Sequence, residues 1–365
     1  VKGLVRGHGG HPSKIRRRSA QFRAGQGEDM GRVVEPLGLA QRHAHVAARR
    51  DGALPLQPAP DVAVYLGDVD DERPLHRGGH PRDQRQGDRL GVGETARKMA
   101  VYIDSLRLMD SMADGEICHI DLGEAFRKRF GNPYAVVHRG DLHGVLLKAC
   151  QDHPLVELRV SSEVAGYEQD GKGVAARLAD GQFVRGAALV GADGLWSNVR
   201  KQMIGDSARV SGHTTYRSVI PTEQMPEDLR WNAATLWAGP KCHIVHYPLS
   251  GWKVFNLVVT YHNDAPEPVA GKPVPVEEVR RGFGHVCERA QNIIRHGRDW
   301  HMWVLCDRDP VNDWIDGRVA LLGDAAHPML QYMAQGACMA MEDAVCLADS
   351  LARHDGAVEP GGARK

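Results

Sequence analysis

No apolar run in this 365-residue chain approaches the roughly 20 residues that a membrane-spanning helix requires, so no membrane segment is expected. Net charge is also lacking. The 46 Lys and Arg balance 46 Asp and Glu, and no global field draws the chain toward nucleic acid. The start shows no charged-then-apolar leader, so secretion is not expected. Paired Cys-x-x-Cys spacing is absent among the seven cysteines, which argues against a disulfide framework and for reduced thiols in the cytoplasm. Histidine is plentiful, at 19 residues, but metal ligands must converge. His243 and His246 stand three apart in a strand-like stretch, which turns their rings to opposite sides. No metal site is expected. The length allows two domains or one large interwoven one.

Residues 1–90 are poor in large apolar groups. They hold no Cys and no Trp, and only Ile15, Phe22 and Tyr65 of their types. Sixteen Lys and Arg outnumber eleven Asp and Glu there, and no helical or alternating period is sustained. Such a stretch cannot offset the entropy of ordering itself, so it is expected to be irregular. It reads either as a basic arm, with Arg16, Arg17 and Arg18 as a weak nucleic-acid patch, or as a GC-rich gene read in the wrong frame.

From Gly91 onward the texture becomes that of a folded α/β protein. Residues 318–351 form one mechanical unit. Val319, Ala320, Leu321 and Leu322 are an apolar run suited to a strand buried on both faces. Gly323 and Asp324 end it, and a loop with Pro328 and Gly336 leads into a helix. The helix's expected apolar stripe is Ala337, Met341, Ala344, Val345 and Ala348. The same logic recurs earlier. Residues 187–190 are a buried strand running into Asp193, Gly194, Ser197 and Arg200. Arg139 and Asp141 open a helix whose stripe is Leu142, Val145, Leu146 and Ala149. Strand-like runs recur at 215–220, 235–238, 243–247 and 254–261, followed by helical spacing over 277–294.

A strand ending in Gly-Asp, followed by a helix, suits a nucleotide-type cofactor. The carboxylate accepts hydrogen bonds from sugar hydroxyls, and the helix start offers N–H groups to negative charge. Arg139 and Arg200 can balance a pyrophosphate. The same features also describe an ordinary strand–loop–helix packing unit, and both readings stay open at this point.

The residues then carry a resemblance. Asp193-Gly-Leu-Trp-Ser-Asn-Val-Arg200 and Gly323-Asp324-Ala-Ala-His327-Pro328 are similar to two fingerprints of the single-component FAD-dependent aromatic hydroxylases. The Arg139-Gly-Asp141-Leu142 helix resembles the one that contacts flavin in that family. Residues 130–143, 212–219, 243–249 and 328–345 most resemble the 3-hydroxybenzoate 6-hydroxylase branch. Salicylate hydroxylases share the Gly-Asp junction and remain the alternative branch.

The resemblance implies an α/β fold, a Rossmann-like FAD-binding domain interrupted by a mixed β-sheet substrate domain. It implies FAD as cofactor, NADH or NADPH as co-substrate, and 3-hydroxybenzoate converted to gentisate with O2. The implied catalytic residues are His213 as base, with Tyr216 and Gln331 orienting the substrate. Pro328 and Tyr247 are implied to line the substrate. Arg139, Asp193, Gly194, Arg200, Gly323, Asp324, Gly336 and Ala337 are implied to bind the cofactor. A small aromatic substrate and a homodimer are the implied partners.

One family feature is not found. The family's first strand leads to a Gly-x-Gly-x-x-Gly turn that cradles the ADP half of FAD. Gly7-His-Gly9-Gly10-His-Pro12 follows no buried strand, and Gly91-Val-Gly93-Glu-Thr-Ala96 follows a charged stretch. A shifted frame over 1–90 would account for this absence, and a basic arm would not. That reading leaves an inactive remnant as a further alternative. The expected organisation is therefore an atypical segment at 1–90, substrate-domain pieces at 91–137 and 207–303, and FAD-binding pieces at 138–206 and 304–365, the last with a shortened end.

Overall fold

Strand alternation organises this protein, seen here as a computed structural model that describes residues 44–48, 62–63 and 91–353. The large sheet has eight strands, in the order Lys272–Pro273, Arg298–Asp307, Arg209–Pro221, Val254–His262, Cys242–Leu249, Ala233–Gly239, Ser105–Asp110 and Gly115–Asp121. Its neighbours run antiparallel except Ala233–Gly239 beside Ser105–Asp110, which are parallel. The sheet is thus mixed, as expected.

Side chains one residue apart along these strands meet different surroundings, because successive Cβ atoms point to opposite faces. Tyr216, Ile244, Phe255, Leu257 and Val259 belong to one core cluster with Val279, Phe283, Ala290 and Ile293 from the helical layer. Each such Val, Leu, Ile or Phe side chain contributes about 1.5–3 kcal/mol by leaving water. The other face carries His213, Thr215, Arg217, Thr260, His262 and His243, aligned by register: His213 pairs with His262, and Thr260 pairs with both Thr215 and His243.

The helical spacing over 277–294 suggests one helix, but two form, Val276–Arg281 and Glu288–His296. The expected core residues Val279, Phe283, Val286 and Ala290 are nevertheless all buried. The break falls where the backbone passes against a ring. A Cβ on Gly282 would lie 2.9 Å from Tyr261 Cγ, so only glycine permits this approach.

A second sheet of six strands runs Ile315–Asp316, Val319–Leu321, Leu189–Gly191, Val62–Ala63, Ala44–Ala48 and Val156–Val160. Its Leu189–Gly191 and Val319–Leu321 strands are parallel, with Leu189 opposite Val319 and Gly191 opposite Leu321. Both are covered on two sides. Leu189, Val319 and Leu321 pack with Val199, Ala325 and Ala326. Val190 and Leu322 pack with Cys338, Met341 and Ala344. The last three come from the Gly336–Arg353 helix, whose buried residues are Cys338, Met341, Glu342 and Ala344. The buried stripe is thus rotated from the expected one, and Ala348 is exposed. A three-stranded meander, Val164–Gln169, Val174–Leu178 and Phe183–Gly186, completes this half. Within residues 1–90 the described pieces, Ala44–Ala48 and Val62–Ala63, are strands. The rest of that stretch, including Arg16, Arg17 and Arg18, lies outside the described residues. All described residues belong to one unit, Gly31–Lys365. None of their helices is long and apolar enough to cross a membrane.

Candidate active site

The two strand–Gly-Asp–helix junctions do different work. At the first, Leu189–Gly191 leads through Gly194, at φ +76°, into the Asn198–Ile204 helix. The Asp193 carboxylate accepts a hydrogen bond from the Ser197 hydroxyl and others from the Asn198 and Val199 N–H groups at 2.8 and 3.2 Å. Ser197 Oγ accepts from Arg200 N–H at 2.8 Å. Asp193 therefore caps the helix.

Arg200 is the clearest correction. Its side chain is fully buried, and Asp206 binds its Nε and Nη2. Its Nη1 donates to the carbonyls of Ala325 and Ala326, and its Nη2 also donates to that of Asp309. With its donors spent inside the protein, Arg200 clamps the first junction to the second and does not reach out to a pyrophosphate. Arg308, also buried, binds Asp206 from the other side at 2.7 Å.

At the second junction Gly323 turns with φ +58°. Its N–H donates to Asp343 Oδ2 at 3.0 Å, and His327 Nε2 meets the same oxygen at 2.6 Å. Burial raises the Asp324 pKa, and the charges of His327 and Arg139 partly oppose this. Among the described residues no group donates a hydrogen bond to the Asp324 carboxylate. The loop then passes the partly exposed Pro328 and, through Ala334 at φ +50°, enters the Gly336–Arg353 helix. A Cβ on Gly336 would stand 3.7 Å from Asp324 Oδ1 and 3.8 Å from Met329 Cγ. It would sit in ordinary van der Waals contact with both, beside the carboxylate at the helix start. Gly336 and Ala337 thus form the first turn beside an acceptor without a donor. This arrangement fits the hydroxyl-bearing chain of a flavin nucleotide, and Arg139 is close enough to act electrostatically on the same carboxylate.

Between the junction and the helix, Gln331 and Tyr332 land on the polar face of the large sheet. Gln331 Oε1 accepts from Arg217 Nη2 at 2.7 Å, and its Nε2 donates to Thr215 Oγ1 and Thr260 Oγ1, each at 3.0 Å. Its amide is thereby locked in orientation. The Tyr332 hydroxyl bonds His213 Nδ1 and lies 3.5 Å from His262 Nε2. The His213 and His262 rings stack with centroids 3.7 Å apart. Burial and the neighbouring His262 lower the His213 pKa, opposed by Asp264. Burial, with His262 and His213 nearby, pushes His243 down to about 4.

Two further expected site residues sit elsewhere than their assigned roles require. Tyr216 follows His213 by an odd number of strand positions, so it faces the helical core, buried among Phe283 and Val259. It does not share a face with His213. Tyr247 is on the His243 face but lies buried in a cluster with Val101, Ile103 and Leu122, and its hydroxyl accepts from Asn256 Nδ2 at 2.7 Å. Conversely, Thr215, Arg217, Thr260, His262, Tyr332 and Asp343 were not anticipated. Alternation pointed to some of them. Asn256, Thr260 and His262 interleave with Phe255, Leu257, Val259 and Tyr261, which marks a polar face on that strand. Among the described residues no group of His, Cys, Asp or Glu is arranged to hold a metal ion.

A flavin-type junction joined to a mixed sheet bearing a histidine cluster defines a class, and comparison with known proteins agrees with it. The chain belongs to the FAD binding domain family, which matches residues 78–357. It is 59% identical to 3-hydroxybenzoate 6-hydroxylase 1 of Aquipseudomonas alcaligenes, over 73% of this chain and 68% of that one. It is 48% identical to 3-hydroxybenzoate 6-hydroxylase of Polaromonas naphthalenivorans, over 72% of this chain and 66% of that one. The matches thus span about two thirds of these relatives' length. Among solved structures, a Klebsiella pneumoniae HpxO variant complexed with FAD superposes with a TM-score of 0.64 at 24% identity, covering 72% of this chain and 68% of that one. A salicylate hydroxylase substrate complex gives 0.64 at 22% identity, covering 74% and 70%. These two share the fold.

Proposed function

We propose that this chain is an FAD-dependent aromatic-ring monooxygenase that converts 3-hydroxybenzoate to gentisate, with NADH as reductant and O2 as oxygen source. One observation carries the reading: the loop that begins at Asp324 ends with Gln331 and Tyr332 seated on the face that bears His213. A cofactor-type junction and a proton acceptor are joined by a few residues of chain. The identity of the relatives supports the choice of substrate.

Bound FAD supplies the electron storage and oxygen activation that side chains lack. Asp324, Gly336 and Ala337 would hold it, with Arg139 beside them. The chain's own residues prepare the phenol. A histidine whose pKa lies below the usual 6.5 is neutral at pH 7, so His213 can accept the phenolic proton. A well-placed base of this kind contributes roughly 10²–10⁴-fold. Arg217, held by Gln331 and lying 5.7 Å from the Trp303 ring centroid, offers a planar cation to the substrate carboxylate. Gln331 is proposed to set the position of Arg217, and Pro328 to bring backbone to the edge of the substrate space. Cytoplasmic residence and a homodimer belong to the same proposal. All seven cysteines are free thiols, a state that a reducing compartment maintains.

The test is NADH oxidation and oxygen uptake by the FAD-loaded protein over a panel of hydroxybenzoates, with product identification. Stimulation by 3-hydroxybenzoate with gentisate formed is the expected result. Preferential turnover of salicylate, or no stimulation by any hydroxybenzoate, refutes the assignment.

A further inference from the structure

The His213 environment contains more proton-carrying groups than a single base requires. The Tyr332 hydroxyl touches His213 Nδ1 and stands 3.5 Å from His262 Nε2, long for a settled hydrogen bond but within reach. Tyr332 is 43% exposed, and His213 and His262 beside it are half-buried. The Tyr332 ring sits edge-on to three imidazoles, with centroids 5.8 Å from His213, 5.6 Å from His243 and 6.4 Å from His262. Gln331, pinned to Thr215 and Thr260, fixes the neighbouring Tyr332 in this place.

We propose that Tyr332 carries the proton taken up at His213 outward to His262 and solvent. The proposal rests on the functional reading above in one respect, the phenol as proton source. The steps balance as follows. The phenol O–H bond breaks and His213 Nε2–H forms. The His213 Nδ1 proton passes to Tyr332 Oη as the Tyr332 hydroxyl proton passes to His262 Nε2. The resulting His262 imidazolium releases its proton to water. His213 must therefore start as the Nδ1–H tautomer, with Tyr332 Oη as acceptor and the Nε2 lone pair free. The charged or titratable groups around this path are His243 on the adjacent strand, Asp264 just past the strand end, and His213, His262 and Tyr332 themselves. Burial, with repulsion from His262, holds His213 and His243 below the ordinary histidine pKa, so neither of these two carries a standing charge at neutral pH.

Tyr332→Phe removes the oxygen and keeps the ring, which separates proton transfer from packing. The first measurement needs neither cofactor nor substrate: ¹⁵N NMR of histidine-labelled protein. Neutral His213 is expected to carry its proton on Nδ1, with the tautomer ratio moving about fivefold toward Nε2–H in Tyr332→Phe, the scale of one lost hydrogen bond. An Nε2–H His213 in the parent, or an unchanged ratio in the variant, overturns the path. The second measurement mixes FAD-loaded protein with 3-hydroxybenzoate in a pH-indicator dye. Proton release is expected to slow about tenfold or more in Tyr332→Phe, with unchanged substrate affinity and recovery in imidazole buffer. Release at the parent rate refutes Tyr332 as carrier while leaving the functional reading intact. A protein that meets the tautomer expectation but binds no hydroxybenzoate refutes the functional reading and leaves the hydrogen-bonded path standing.

Discussion

Asp206 is the place to strike if the two junctions are held in register by buried charge. Its carboxylate sits between Arg200, fully buried, and Arg308, 4% exposed, while Asp206 itself is 22% exposed. Arg200 also holds the carbonyls of Ala325 and Ala326, and Arg308 holds that of Leu195 at 2.7 Å. Asp206→Asn keeps the shape but removes the charge and turns an amide N–H₂ toward one guanidinium. Two buried cations then lack their counter-ion. Removing one partner of a buried pair costs about 3–5 kcal/mol. The partial exposure of Asp206 places the expected loss near about 3 kcal/mol, a fall in Tm of about 6 °C at roughly 2 °C per kcal/mol.

The same residue sets an acid limit. Burial alone would raise the Asp206 carboxyl, but hydrogen bonds and charge from Arg200 and Arg308 outweigh it and lower the pKa. A depressed carboxylate contributes stability above its unfolded pKa of about 4. That contribution is lost as pH falls through the lower folded value. Thermal unfolding followed by circular dichroism at pH 7 and across pH 3–5 tests both points. A variant melting within about 1 °C of the parent at pH 7, or an unchanged acid limb, would refute a clamp role for the cluster.

Three further outcomes follow from the geometry. His213→Ala is expected to lower hydroxylation by roughly 10²-fold or more, and in the parent the rate should rise with pH through a value below 6.5, because the neutral imidazole is the active form; steady-state pH profiles read both. Gly191→Ala brings a Cβ within 2.7 Å of Val199 Cγ1 and 3.1 Å of Leu321 Cδ2, an overpacking expected to cost about 1–3 kcal/mol in urea unfolding. Asp343→Asn weakens the hold on Gly323 and His327. Burial opposes protonation of His327, but the Asp343 bond and charge prevail and raise its pKa. The stability difference between parent and Asp343→Asn should be largest below pH 6.5 and shrink as pH rises through the folded value. A difference that grows with pH would contradict the ion pair.

Local chemistry carries far along this chain. Val319, Ala320, Leu321 and Leu322 announce a buried strand, Gly323 the turn after it, and Gly336 a helix start, and the structure has each of them. The alternation of residues 209–221 also determines that His213 and Tyr216 point apart. That consequence is written in the spacing, although the family resemblance implies one site for both. What the sequence does not contain is register. His213 meets Tyr332 across 119 positions, and Arg200 meets Ala325 across 125. Such contacts depend on which strands pair, on where the bulges after Val210 and Arg217 fall, and on which face each helix covers. Whether an arginine beside a cofactor-like junction reaches outward or turns in to clamp two loops is decided by the carbonyls and carboxylate that packing delivers. Composition and period locate most strands and much of the buried core, though not the exact stripe of the last helix or the break at Gly282. Only the tertiary structure decides which polar groups, far apart along the chain, face one another, because a hydrogen bond requires positions within about 3 Å, a tolerance no local pattern encodes.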